Sequence, residues 1–161
     1  MAAFTIRPAR ADDVRRIAGI GYAAWRRGIG DLVPPEAGRR IGPETFAEFA
    51  RDARGEILVA DVDGRVVGFA ATEHGDNQIT DLWVSPDAEG QGIGTALMAA
   101  TEARIGLRGY DAVEIDVMTA NRRALGLYEY LGYRAIRESH AYDPHLQIEL
   151  HKTRLRKRLS R

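Results

Sequence analysis

The chain has 161 residues, 45% of them hydrophobic, and it contains no cysteine. This composition predicts one globular domain and excludes disulfides, thiolate metal sites and a thiol nucleophile. The 23 basic and 23 acidic residues cancel, but six of the basic residues and none of the acidic ones follow residue 151. Residues 1–151 therefore have a net charge of −6, from 17 basic and 23 acidic residues. An acidic body suits a cationic substrate and argues against a nucleic-acid partner.

Residues 152–161 are expected to form a solvated basic tail that follows the single domain of residues 1–151. No apolar run approaches the roughly 18 residues that cross a bilayer, and the N-terminal residues lead into a strand pattern instead of a signal peptide. The sequence thus predicts a cytoplasmic protein with no membrane partner, and it is compatible with a homodimer.

Hydrophobic periodicity and turn residues predict the secondary structure in chain order. The first half has a strand at residues 4–7, helices at 12–27, 35–41 and 43–54, and a hairpin of strands at 56–61 and 65–73. The second half has a strand at 78–84, a helix ending near 107, a strand at 112–118, a helix at 122–131 and strands at 133–138 and 145–151. This order predicts an α/β fold in which helices cover both faces of a mixed sheet.

The segment that follows the strand at residues 78–84 has the pattern of an anion-binding loop. Gly90, Gly92 and Gly94 alternate there, just before a helical pattern. Glycines let the backbone approach a ligand closely, and the free N–H groups of a first helical turn attract phosphate. The spacing matches neither the G-x-G-x-x-G of dinucleotide sites nor the Gly-Lys-Ser/Thr of nucleoside triphosphate loops. From the glycines alone, a plain strand-to-helix turn is the alternative.

Two motifs together resemble the GCN5-related N-acetyltransferase (GNAT) family. Residues 84–97, V-S-P-D-A-E-G-Q-G-I-G-T-A-L, are similar to its acetyl-CoA loop. Residues 121–133, N-R-R-A-L-G-L-Y-E-Y-L-G-Y, are similar to its second hallmark, N-x-x-A-x-x-L-Y-x-x-x-G-F/Y. The resemblance covers about residues 4–151 and implies a mostly antiparallel GNAT-like sheet whose fourth and fifth strands splay apart. Glu89 departs from the pattern, because the family has Arg or Gln there, and we expect its carboxylate to point to solvent.

The resemblance implies acetyl-CoA as the cosubstrate and no metal. The pyrophosphate would lie on the loop, and the pantetheine arm would lie between the splayed strands against the backbone of the first one. Asn121 would also bind the cofactor, a role compatible with capping the following helix. The implied cofactor residues are Leu82, Trp83, Val84, Gly90, Gln91, Gly92, Ile93, Gly94, Thr95 and Asn121.

Transfer of acetyl to an amine needs a base, since an amine with a pKa near 10.4 costs about 4–5 kcal/mol to deprotonate at pH 7. The resemblance places Tyr128 at the family's general-acid position, where it would protonate the CoA thiolate; a core tyrosine is the alternative. Asp116 is the first candidate for the base, because it lies on the polar face of its strand and, five residues before Asn121, at a position where the resemblance implies a base. An ordinary solvent-facing acid explains it equally well. Asp81, in the strand before the loop, is the rival base.

The sequence therefore predicts an N-acetyltransferase that transfers acetyl directly to a primary amine, of a small molecule or of a protein N-terminus, in a ternary complex. Without cysteine, no acetyl-cysteine relay can operate. A CoA-sensing or scaffold module that has lost catalysis is the alternative. Trp25 and the loop after it occupy the region of the family's acceptor lid, although a core role suits Trp25 as well. Further acceptor-side candidates, which surface positions would equally explain, are Glu73, His74, His140 and Tyr142.

Overall fold

The computed structural model describes residues 3–160. The strands are β1 (Thr5–Pro8), β2 (Ile57–Val62), β3 (Arg65–Ala71), β4 (Gln78–Ile79), β5 (Asp81–Val84), β6 (Ala112–Met118), β7 (Arg134–Asp143) and β8 (Ile148–Arg158). The α-helices are α1 (Val14–Gly28), α2 (Pro35–Gly38), α3 (Pro43–Asp52), α4 (Ile93–Leu107) and α5 (Arg122–Tyr130). Within this part of the chain, none of the helices combines the length and the apolarity that crossing a membrane requires.

The strands form two four-stranded sheets, with the orders β1-β2-β3-β5 and β4-β6-β8-β7. Among the strands of residues 3–160, only β4 and β6 pair in parallel. The predicted strand at residues 78–84 is interrupted at Thr80, whose N–H and hydroxyl both donate to the carbonyl of Ala71. As a result β4 pairs with β6, whereas β5 pairs with β3, and a gap opens between β5 and the second half of β6. The predicted mixed, mostly antiparallel α/β fold with splayed strands is confirmed.

The helices cover both faces of the first sheet because β2 is apolar on both sides. Its residues Ile57 and Val59 pack with α1 and α3, while Leu58 and Ala60 pack with Ile93 and other residues of α4. Complete burial of an isoleucine, valine or leucine stabilises a fold by about 1.5–3 kcal/mol. Helices α4 and α5 also cover one face of the second sheet, in a cluster that contains Met98, Ile105, Tyr128, Val113 and Leu155.

Residues 152–161 were expected to form a solvated tail, but β8 continues to Arg158 and lies between β6 and β7. Thr153 and Leu155 are buried on the face that α4 and α5 cover, while the basic residues that alternate with them, Lys152, Arg154 and Arg156, point to the other face. The period-two pattern of a strand is thus present in this segment, but its many charges hid the pattern from the sequence argument. Strand β7 likewise runs to Asp143, beyond its predicted end at residue 138.

Candidate active site

The glycine loop forms one wall of a cleft with a volume of about 420 Å³. Gly90 and Gly92 have φ angles of 76° and 80°, in the left-handed region that favours glycine. A Cβ atom at either position would meet no atom within 4 Å, so open space lies over the loop. Gly92 is also the N-cap of α4, whose first N–H groups have no partner inside the helix. The loop therefore offers backbone donors and a positive helix end to an anion.

Nearly all the predicted cofactor residues line this cleft: Leu82, Trp83, Val84, Gly90, Gly92, Ile93, Gly94, Thr95 and Asn121. The exception is Gln91, which is not part of its lining. The side chain of Ile93 is buried in the core, so this residue offers its backbone alone. The Oδ1 atom of Asn121 accepts a hydrogen bond of 3.2 Å from the N–H of Ala124, which caps α5.

The backbone of β5 has unpaired groups that face the gap between the sheets. Ser85 donates its N–H to the carbonyl of Val67 at 2.8 Å, so the odd-numbered residues of this segment are the ones whose backbone groups bond to β3. Because such positions alternate along an antiparallel pair, Leu82 and Val84 direct their N–H and C=O groups away from β3. These groups need partners, and an extended ligand with amide groups can supply them.

Glu89 lies at the rim of the cleft between arginines from two helices. Its carboxylate forms an ion pair with Arg27 of α1 and lies 3.7 Å from the guanidinium of Arg123 of α5. Glu89 is exposed, as expected, but its carboxylate is paired with these arginines and is not free in solvent. The two arginines offset a negative charge that would otherwise repel phosphate. Neither arginine was predicted, and the one signal in the sequence was the unexpected acid at position 89.

The cleft adjoins a second cavity, of about 220 Å³, in the gap between β5 and β6. Tyr128 lines both cavities and is 9% exposed. Burial, and to a smaller extent the charge of Asp81, raise the pKa of the Tyr128 phenol, which is therefore protonated at neutral pH. Asp81 and Asp116 line the second cavity as well. The structure thus brings all three predicted catalytic side chains to one place.

The two carboxylates of this cavity differ in their surroundings. Asp116 accepts hydrogen bonds of 2.7 and 2.8 Å from Arg154, which lower its pKa, and one of 3.1 Å from the amide of Gln78. Burial raises the pKa of Asp81 to about 6, against the opposing effect of a 3.1 Å hydrogen bond from the indole N–H of Trp83. Asp81 can therefore exchange a proton near neutral pH, whereas Asp116 is held as an anion.

A third cavity, of about 500 Å³, lies beyond Asp81 on the side away from the glycine loop. Its lining includes Trp25, which also borders the second cavity. Because Trp25 is buried as well, it can both pack in the core and line these cavities. Of the acceptor-side candidates, His140 does not line the cavity; its ring stacks on that of His151 at 4.7 Å. The polar side chains that do line it include Glu73, His74, Asp81, Asp116, Tyr142, Asp143, His145 and Lys152.

Comparison with known families and structures agrees with this geometry. The sequence profile of the Acetyltransferase (GNAT) family matches residues 26–133, which include both motifs. A crystal structure of a GCN5-related N-acetyltransferase from Rhodopseudomonas palustris superposes with a TM-score of 0.77 at 29% identity, covering 99% of this chain and 98% of that one. The PaiA N-acetyltransferase from Thermoplasma acidophilum, in complex with coenzyme A, shares the fold with a TM-score of 0.73 at 15% identity, covering 98% and 99%.

Among curated proteins, the mycothiol acetyltransferase of Propionibacterium freudenreichii is 28% identical over 143 residues, which are 84% of this chain and 44% of that protein. The mycothiol acetyltransferase of Clavibacter sepedonicus is 34% identical over 105 residues, or 62% and 34% of the two chains. The chain therefore spans less than half the length of these relatives.

Proposed function

Because this chain belongs to the GNAT acetyltransferase family, we propose that it transfers acetyl from acetyl-CoA directly to a primary amine in a ternary complex. One observation carries the proposal. The anion-binding loop, the unpaired backbone of β5 and the pair of Asp81 and Tyr128 line adjoining cavities that share Leu82 and Tyr128. This arrangement provides a phosphate site, a channel for an extended amide chain and proton-exchanging groups, in that order.

The cleft suits acetyl-CoA in its shape and its chemistry. The glycine loop and the N-terminus of α4 would hold the pyrophosphate, with Arg27 and Arg123 at the rim as additional cations. The free backbone groups of Leu82 and Val84 would bond to the amides of the pantetheine arm. Bound in this way, acetyl-CoA supplies an activated thioester carbonyl next to Tyr128.

We assign the base to Asp81 rather than to Asp116. With a pKa of about 6, Asp81 is mostly ionised at pH 7 and can accept a proton from the bound ammonium group, which leaves the neutral amine to attack the thioester carbonyl. Asp116 makes a weaker base, because Arg154 stabilises its anionic form. Asp81 also borders the third cavity, from which an amine would approach.

Tyr128 is the group best placed to protonate the departing thiolate. Its phenol carries a proton at neutral pH, and it lines both the cofactor cleft and the cavity of Asp81. The charge of Asp81 helps to raise the pKa of Tyr128, so protonation of Asp81 by the amine removes that effect. Tyr128 thus becomes a stronger acid at the step in which the C–S bond breaks.

The third cavity has the properties of an acceptor site for a cationic amine. Its lining includes the carboxylates of Glu73, Asp81 and Asp143, which attract an ammonium group towards Asp81. A small molecule and a protein N-terminus both present such a group. The net charge of −6 over residues 1–151 acts in the same direction at longer range.

The proposal is tested by two measurements on the same protein. Calorimetry with acetyl-CoA, CoA and NAD is expected to show binding of the first two and none of the third. Thiol release is then followed over polyamines, aminoglycosides, amino acids and peptides with free N-termini. Release with at least one amine supports an acetyltransferase. Tight CoA binding without release from any of them would instead favour the CoA-sensing or scaffold module.

A further inference from the structure

One face of the second sheet collects basic side chains from the edge strand β7 and from β8, the strand next to it. Residues directly opposite each other in neighbouring strands point to the same face. Arg134 lies opposite Arg156, and Arg137 lies opposite Arg154. Every second residue of β8 shares this face. We define the basic face as Arg134, Arg137, Lys152, Arg154, Arg156 and Arg158.

The basic face opposes like charges directly, an arrangement that destabilises a sheet. Arg154 is neutralised by Asp116 and by Glu114, whose carboxylate lies 3.4 Å from it. Arg134 and Arg156 are exposed, and among the ion pairs of residues 3–160 neither has an acidic partner. Helices α4 and α5 cover the opposite face of the sheet, where Leu155 is buried. Glu114 lies opposite Arg156 in the sheet, but its carboxylate pairs with Arg154, so Arg134 and Arg156 remain able to meet an external anion.

The basic face adjoins the third cavity. Lys152 belongs to the face and also lines that cavity, together with Asp81. From Lys152 the face continues along β8 to Arg156, which is about 13 Å away at the usual rise per residue. A ligand whose amine reaches Asp81 can thus extend over the arginines.

We infer that the basic face binds an acidic polypeptide segment of the acceptor, whose free amine enters the cavity at Asp81. An extended segment running along β8 repeats its side chains at the same spacing as the strand. Alternate carboxylates of the segment therefore lie in register with the even-numbered residues of β8, where Arg156 and its neighbour Arg134 carry charge that no ion pair of residues 3–160 offsets. A short acidic segment needs only the few free cations of this face, whereas the net charge of −6 over residues 1–151 repels a long nucleic-acid backbone.

This inference rests on the proposed function, and a binding measurement separates the two. The probes are two peptides with free N-termini and a C-terminal fluorophore, Ala-Ser-Glu-Ser-Glu-Ser and Ala-Ser-Gln-Ser-Gln-Ser, and a single strand of twelve thymidines. By fluorescence anisotropy at low salt, the Glu peptide is expected to bind about tenfold more tightly than the Gln peptide. The double variant Arg134→Gln/Arg156→Gln should bring this ratio to within about twofold.

Two controls accompany the double variant. Arg10→Gln/Arg15→Gln removes the same charge from exposed arginines elsewhere and should keep the tenfold ratio. Calorimetry with CoA should give the wild-type affinity for both double variants, which shows that they are folded. Thiol release with the Glu peptide should exceed that with the Gln peptide by a similar factor.

Several outcomes would overturn the inference and leave the acetyltransferase intact. These are equal binding of the two peptides, a preference that survives in Arg134→Gln/Arg156→Gln, or acetylation of small amines only although the Glu peptide binds. Tighter binding of the oligonucleotide than of the Glu peptide, lost in the same variant, would make the face a nucleic-acid surface. If no amine gives thiol release, the proposed function is contradicted. The ratio of peptide affinities still tests the inference about the basic face, because it does not depend on turnover.

Discussion

Arg154 donates a hydrogen bond to each carboxylate oxygen of Asp116, at 2.7 and 2.8 Å. The two side chains project from adjacent positions of β8 and β6, so the pair is built into the sheet register. A bidentate pair of this kind stabilises the carboxylate strongly. It makes Asp116 a structural anion beside the second cavity and leaves Asp81 as the carboxylate with a pKa near neutral pH.

The first prediction compares these two acids. Asp81→Asn keeps an oxygen that can accept from Trp83 but removes the proposed base, so kcat/KM should fall by about 10²–10⁴-fold. Asp116→Asn should keep kcat/KM within about tenfold while lowering the free energy of unfolding by about 1–3 kcal/mol, because it breaks the pair with Arg154. Steady-state thiol release and urea denaturation measure the two effects. A large loss of activity in Asp116→Asn together with an active Asp81→Asn would reverse the assignment.

The second prediction follows from the raised pKa of Asp81. Between its ordinary value of 3.8 and its folded value of about 6, the folded chain binds more protons than the unfolded chain. Stability therefore falls as pH rises through this window. At neutral pH the buried anion costs about 1–3 kcal/mol, and we expect Asp81→Asn to recover this amount at pH 7.5 and little at pH 4. Activity has the opposite dependence, since kcat/KM should rise with pH through about 6 as Asp81 ionises.

Asp116→Asn is the matched control for the pH experiment. The pKa of Asp116 is lowered, so its contribution to stability is present at neutral pH and is lost as pH falls below the ordinary value of 3.8. Urea denaturation of both variants at two pH values should therefore give changes of opposite sign at pH 7.5. A destabilised Asp81→Asn at pH 7.5 would contradict the account of Asp81.

The parts of the site that sequence patterns predicted are local ones. The glycine loop, the Asn121 cap and Tyr128 all lie within short segments whose spacing alone indicates a strand, a turn and a helix. The parts that were missed depend on partners far apart in the chain. Arg154 and Asp116 are separated by 38 positions, and Arg27 and Glu89 by 62, so no spacing rule relates them.

The choice between the two candidate bases depends on a distant partner for the same reason. Asp116 occupies a suitable strand position, but its protonation depends on a residue that the charge count had assigned to a solvated tail. The break at Thr80 was also invisible, because residues 78–84 are continuous as a pattern. It arises because the two ends of this segment pair with strands of different sheets: β4 pairs with β6 and β5 pairs with β3.

The third prediction concerns the loop. Gly92→Asp places a side chain and a negative charge in the open space over the loop, at a backbone φ of 80°. Calorimetry should show loss of CoA binding by at least about 100-fold, since bulk and repulsion act together at the phosphates. Gly64→Asp is the matched control. It has a similar φ of 87° and equally open surroundings, but it lies in the hairpin turn between β2 and β3. Equal loss in both variants would mean that backbone strain, and not the site, is responsible.

The fourth prediction concerns the ion pair at the rim of the cleft. Arg27→Gln should weaken CoA binding by about threefold to tenfold and leave the binding of pantetheine, which has no phosphates, unchanged. Glu89→Gln frees Arg27 from its carboxylate partner and should leave CoA binding equal or tighter. Calorimetry at two salt concentrations measures both variants, and the effect of Arg27→Gln should shrink at high salt. A similar loss for pantetheine would show that Arg27 acts through packing instead of charge.

The last prediction separates the chemical role of Tyr128 from its packing. Tyr128→Phe keeps the buried ring and removes only the proton donor, so kcat should fall by about 10²-fold while CoA affinity stays within about twofold. Tyr133→Phe is the matched control, because its ring lies 6.0 Å from that of Tyr128 and its hydroxyl donates to Glu102 at 2.6 Å. Tyr133 lies outside the linings of the three cavities, and losing this bond should lower the free energy of unfolding by about 1–3 kcal/mol without a comparable effect on kcat. Unchanged kcat in Tyr128→Phe would mean that the thiolate leaves without a protein acid.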